Sequence, residues 1–175
     1  MNGAVSPFLT TWASFYTMTG SSAAALTGLM FVVISLITAR ERTEGTHDGI
    51  ATFSTPTVMH FAAALLVSAV LIAPWSSLIY PGAAAALIGL YGVVYIVRIA
   101  YRAKRLTVYR ADLEDWAWYT ILPFVADGAI VAGGIALAAV PAHALFVLAG
   151  GVVLLIFIGI RNAWDVVTYI TVNRI

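Results

Sequence analysis

Charge is confined to a few short stretches of this chain, and between them runs of roughly 20 residues pass with one charged residue or none, the length that crosses ~30 Å of hydrocarbon as a helix. Trp12 to Ala39 is one such run. A soluble helical domain would interleave charges at helical period. With 62% hydrophobic and 10% charged residues, the chain has too little polar surface for a water-soluble domain of its size. In lipid every backbone N–H and C=O must be satisfied internally, which leaves helices or a closed barrel. The runs are continuous rather than alternating, so the barrel is excluded and the expected fold is an all-α bundle of transmembrane helices.

Five spans are predicted, at about 12–39, 56–76, 82–101, 116–140 and 143–161, forming a single transmembrane domain. Ser54-Thr55-Pro56 reads as a cap with proline at the first helical position of the second span, and Pro81-Gly82 opens the third. Between the third and fourth spans, Leu106, Tyr109 and Leu113 recur at helical spacing with charges on other faces, which predicts a short interfacial helix over 106–115. Residues 162–175 form a tail that can continue the last helix.

The nine Lys and Arg set the orientation. They fall at Arg40, Arg42, Arg98, Arg102, Lys104, Arg105, Arg110, Arg161 and Arg174, and the N-terminus and the other two connections have none. The positive-inside rule then puts the N-terminus outside and the C-terminus in the cytoplasm. Trp12 and Trp75 mark the outer interface, and Trp116, Trp118 and Trp164 the inner one. Arg102, Lys104 and Arg105 suit anionic lipid headgroups. Gly20, Ala24 and Gly28, and again Gly128, Ala132 and Ala136, follow small-xxx-small spacing, which lets helix backbones approach closely. These faces predict tight helix contacts and a homo-oligomer.

Asp127 is the one acid set deep in an apolar run. It lies roughly 15 Å into its span, where insertion of an Asp costs about 2.5–3.5 kcal/mol. It is therefore expected to face protein or water, and Pro123 one turn earlier to kink the helix. Side-chain tilt brings Arg98 and Asp127 toward each other, and His60 lies at a similar depth. The expected constellation is a polar cluster of His60, Arg98 and Asp127, extended by Tyr91 or Tyr95. The alternative is that Asp127 bonds Ser68 or Thr27 while Arg98 snorkels to lipid.

Other chemistries find little support. No cysteine is present, so thiolate metal sites and cysteine nucleophiles are excluded. His60 and His143 fall near opposite faces and cannot hold one haem within a subunit, and no cofactor or metal site is expected. No phosphate-binding loop, dinucleotide glycine pattern, zincin pair or nucleophile elbow occurs, so no enzyme constellation is expected. A net charge of +1 gives no argument for nucleic acid.

The stretch WASFYTMTGSSAAALTGLMFVVISL, Trp12 to Leu36, resembles the opening span of small uncharacterised bacterial five-helix integral membrane proteins. The resemblance covers one of the five helices, implies a bacterial cytoplasmic membrane, and transfers no functional residues. Two functions remain as expectations. One is a small oligomeric channel or transporter whose pathway the polar cluster lines. The other is a non-catalytic subunit or modulator that binds a larger membrane protein. An axial pore lined by Asp127 favours the first, and an Asp127 sealed among side chains favours the second.

Overall fold

The computed structural model describes residues 5–44, 50–103 and 116–173. Its elements are α1 (Pro7–Glu44), α2 (Ile50–Ile72), α3 (Ile79–Ala103), a π-helical turn (Ala117–Ile121), α4 (Leu122–Ala136) and α5 (Pro141–Asn173). The all-α expectation holds. Four stretches are long and apolar enough to cross a membrane, Pro7–Ser35, Ile79–Tyr101, Ala117–Ala136 and Pro141–Asp165, and α2 carries a shorter one, Pro56–Ile72. The chain is a multi-pass membrane protein on that ground.

Several boundaries differ from the sequence expectation, each for a local reason. The first helix starts at Pro7 rather than Trp12, because proline at the first position forfeits no helix bond and the Ser6 carbonyl accepts from the Thr10 N–H at 3.2 Å. The second starts at Ile50, which leaves Pro56 inside the helix instead of at its head. Its far end is closed by the Trp75 indole, which donates to the Val70 carbonyl at 2.7 Å. The fourth helix stops at Ala136, four residues short of Val140. The last runs unbroken to Asn173, so residues 162–173 are a continuation of α5 and not a separate tail. At 1.5 Å per residue, α1 and α5 are about 57 and 50 Å long, well beyond the ~30 Å of hydrocarbon. The interfacial helix expected at 106–115 lies outside the described residues.

Proline also shapes the start of the fourth span. Pro123 has no N–H to give the Tyr119 carbonyl, and the chain answers with a π turn in which the Leu122 N–H bonds back five residues to Ala117. The expected kink thus takes the form of a widened turn.

Contacts between glycines and their neighbours fix the helix order. Gly82 lies against Gly134, and Gly92 against Asp127, so α3 and α4 run antiparallel. Gly133 meets Ala144 and Leu148 while Gly151 meets Ala126 and Ile130, which makes α4 and α5 antiparallel as well. Gly20 meets Ser68, and the Ser6 N–H bonds the Trp75 carbonyl at 3.1 Å, placing α1 antiparallel to α2. With α2 also against α5 and α3, helices α2 to α5 close a ring, and α1 covers the α2–α5 seam. The Tyr16 hydroxyl seals that seam by donating to the Leu145 carbonyl at 2.9 Å.

The core lies along α5, where Leu145, Leu148, Val152, Leu155 and Ile158 are fully buried at helical spacing. Outward faces carry Met18, Leu29, Phe31, Leu87 and Phe157, an arrangement ordinary in lipid and a liability in water. Lipid gives no hydrophobic drive for helices to associate, so the bundle depends on close packing and internal hydrogen bonds such as Thr19 with Ser68 at 3.1 Å. The tryptophans fall into two groups at opposite ends, Trp12 and Trp75 near the start of α1, Trp118 and Trp164 at the other.

Candidate functional site

Of the ring's four helix contacts, the one between α2 and α3 is the sparsest. A cavity of about 90 Å³ opens there, lined by Met59, His60, Ala62, Ala63 and Leu66 from α2, Ile88, Tyr91, Gly92, Tyr95 and Ile96 from α3, and Asp127 from α4. Leu66 and Tyr91 are exposed and Asp127 is 2% exposed, so the cavity opens on the flank of the bundle and Asp127 stands at its inner wall. The wall is otherwise almost wholly apolar.

Glycine explains how the acid reaches this position. A Cβ at Gly92 would overlap the Asp127 carboxylate, and one at Gly89 would come within 2.8 Å of the Asp127 carbonyl. These two glycines leave α3 bare where α4 presents its acid. Asp127 Oδ1 is buried without a hydrogen-bond partner. A buried polar group in that state is costly and marks a site that a donor would satisfy.

Four of the five residues expected in the polar cluster therefore come together: Asp127, His60, Tyr91 and Tyr95 share one cavity. The two tyrosine rings stack, with centroids 6.5 Å apart and planes 14° apart. Arg98 is the exception. It is exposed, does not line the cavity, and makes no ion pair with Asp127. The cause is register, since Gly92 is level with Asp127 and Arg98 lies six residues further along α3, about 9 Å. The alternative partners are also engaged elsewhere: Ser68 bonds Thr19, and Thr27 donates to the Ala23 carbonyl at 2.8 Å.

Within one chain the small-residue stripes make few of the close helix contacts. Gly20 is at a close contact with Ser68, but Gly28 and Gly128 have open space where a Cβ would stand, Ala24 and Ala132 are exposed, and Ala136 is half-buried. The tight contacts are made instead by Gly82, Gly89 and Gly92 on α3, by Gly133 and Gly134 on α4, and by Gly151 and Gly159 on α5. The run GAAAALIGLYG, from Gly82 to Gly92, held the missing signal: small residues at 82, 85, 89 and 92 form one ridge at helical spacing. Of the residues assigned to headgroups, Arg102 lies in the last turn of α3, while Lys104 and Arg105 fall outside the described residues. His143 is exposed at the opposite end of the bundle from the α2 N-terminus, far from the cavity.

A second polar group lies deeper toward the other end. Arg161 is ion-paired with Asp165 and stacks over Trp118 at 5.6 Å, and the adjacent Asn162 is fully buried. No protein family matches this chain, and no curated protein or solved structure does either.

Proposed function

We propose that this chain is a five-span protein of a bacterial cytoplasmic membrane, N-terminus outside, that acts as a non-catalytic subunit or modulator by receiving a group from the plane of the membrane into the α2–α3 cleft. The orientation is supported by Arg98 and Arg161, which lie at the end of the bundle opposite Trp75, and by the absence of Lys and Arg from the connections at the Trp75 end. Five spans are supported by the place of α2 within the ring, alongside helices that are each long enough to cross.

The observation that carries this reading is the position of Asp127. A pore between copies of a chain is lined by side chains that face outward from each copy, whereas Asp127 faces inward against Gly92. On α2 the cavity extends from Met59 to Leu66, about 10 Å of helix, one third of the hydrocarbon thickness. Its form is a side pocket. Purified in mild detergent, the protein is expected to retain a larger membrane partner, and Leu66→Trp, which fills the mouth of the cleft, is expected to reduce that recovery. Proteoliposomes should show no proton or potassium flux above empty vesicles.

A homo-oligomeric channel or transporter is the second reading. It is favoured by the convergence of Asp127, His60, Tyr91 and Tyr95 on one cavity and by the room that exposed Ala24, Gly28 and Ala132 leave for a second copy. Flux that disappears in Asp127→Asn would establish this reading and overturn the first.

A further inference from the structure

Resting on the reading of the α2–α3 cleft as a lateral receiving site, the chemistry of its wall identifies what enters. The occupant must satisfy Asp127 Oδ1, an acceptor buried without a partner. A neutral group can do so weakly, but a nitrogen base does so with a charge-assisted bond, about twice as strong. With the proton on the nitrogen, ammonium and carboxylate pair with no net charge, and Asp127 is the acceptor. Tyr91 and Tyr95, which stack on each other, line the same cavity, and aromatic rings attract a cation. Among the described residues no Lys or Arg lines the cavity, and His60, the one side-chain nitrogen in its wall, leaves Asp127 Oδ1 without a hydrogen bond.

The rest of the wall excludes other ligands. A hard metal ion takes six or more oxygens, and among the described residues no three His, Cys, Asp or Glu come together. An anion would meet the carboxylate. The volume of about 90 Å³ falls between what one water needs and the ~150 Å³ cavity that takes benzene, the size of an amino group with a short alkyl stem. Leu66, Ile88 and Met59 supply an apolar channel for that stem to the flank of the bundle. Phospholipid headgroup amines stay at the interface, whereas Asp127 is ten residues from Ala117 and nine from Ala136, near the middle of its span.

We infer that the α2–α3 cleft binds the amino end of a primary lipophilic amine that enters sideways from the bilayer, with Asp127 as the hydrogen-bond acceptor and Tyr91 and Tyr95 as flanking rings.

The test is thermal unfolding of the full chain in dodecyl maltoside, titrated with hexylamine and, in parallel, with hexanol as the control for partition into the micelle. A saturable rise in Tm with hexylamine alone is expected. It should be weakened at least about tenfold in apparent affinity by Asp127→Asn, and abolished by Leu66→Trp, a rim substitution that keeps the test decisive should the Asn variant fail to fold. Equal shifts with hexanol, or shifts unchanged in both variants, would overturn the inference. If hexylamine has no effect while a membrane partner still co-purifies in a Leu66-dependent way, the amine is wrong and the receiving cleft stands.

Discussion

Asp127 and Gly92 act as a unit. Because a Cβ at Gly92 would overlap the carboxylate, Gly92→Ala is expected to destabilise the bundle by about 1–3 kcal/mol, the usual cost of overpacking. Asp127→Ala removes the obstructing group, so the double variant should recover most of that loss. Equilibrium unfolding in mixed micelles measures the coupling, and simple addition of the two costs would show that the residues are not in contact. A smaller effect is expected at Ser68, where alanine loses the bond to Thr19 and about 0.6 kcal/mol, the average for such bonds in membranes. That Asp127 stands inside the protein was legible in its sequence, since a mid-span acid cannot face lipid cheaply. Its partner was not. Depth and side-chain tilt placed Arg98 within reach, but helix register decides which side chains meet, and six residues of α3 separate Arg98 from the level of the acid.

At the scale of elements, the helices are set by which glycines face a neighbouring backbone. A Cβ at Gly134 would lie 2.6 Å from the Ala86 nitrogen and the Gly82 carbonyl oxygen, atoms that cannot move without parting α3 from α4. Gly134→Ala is therefore expected to lower stability by more than 1 kcal/mol, on the order of other overpacked sites. Gly28→Ala and Gly150→Ala, with open space at the Cβ, should be neutral or gain up to about 1 kcal/mol from helix propensity. The same unfolding assay separates them, and a loss at Gly28 matching that at Gly134 would mean a second chain covers that face. The spans were legible because runs of apolar residues have the length of a bilayer. The contact faces were less so: nearly every helix here is rich in Gly and Ala, and small-residue spacing occurs on faces that pack and faces that do not. The start of α2 was misplaced because Ser54-Thr55-Pro56 suits a cap and first turn equally well.

For the whole molecule, the absence of cysteine makes topology directly accessible. Single cysteines at Ser76 and Ala142, both near the turns at the Trp75 end of the bundle, are expected to react with a membrane-impermeant maleimide in intact cells, and one at Ala103 only after lysis. The reverse pattern would invert the orientation. Within the ring of α2 to α5 the sparsest contact is that between α2 and α3, and the cleft there is the feature on which the functional account stands. It differs from an aqueous pathway in what reaches its mouth. A nitroxide attached at Tyr91→Cys in lipid bilayers reports this by its collisions with oxygen, which concentrates in hydrocarbon, and with a water-soluble nickel chelate. The account predicts strong relaxation by oxygen and almost none by nickel, and dominant relaxation by nickel would contradict it.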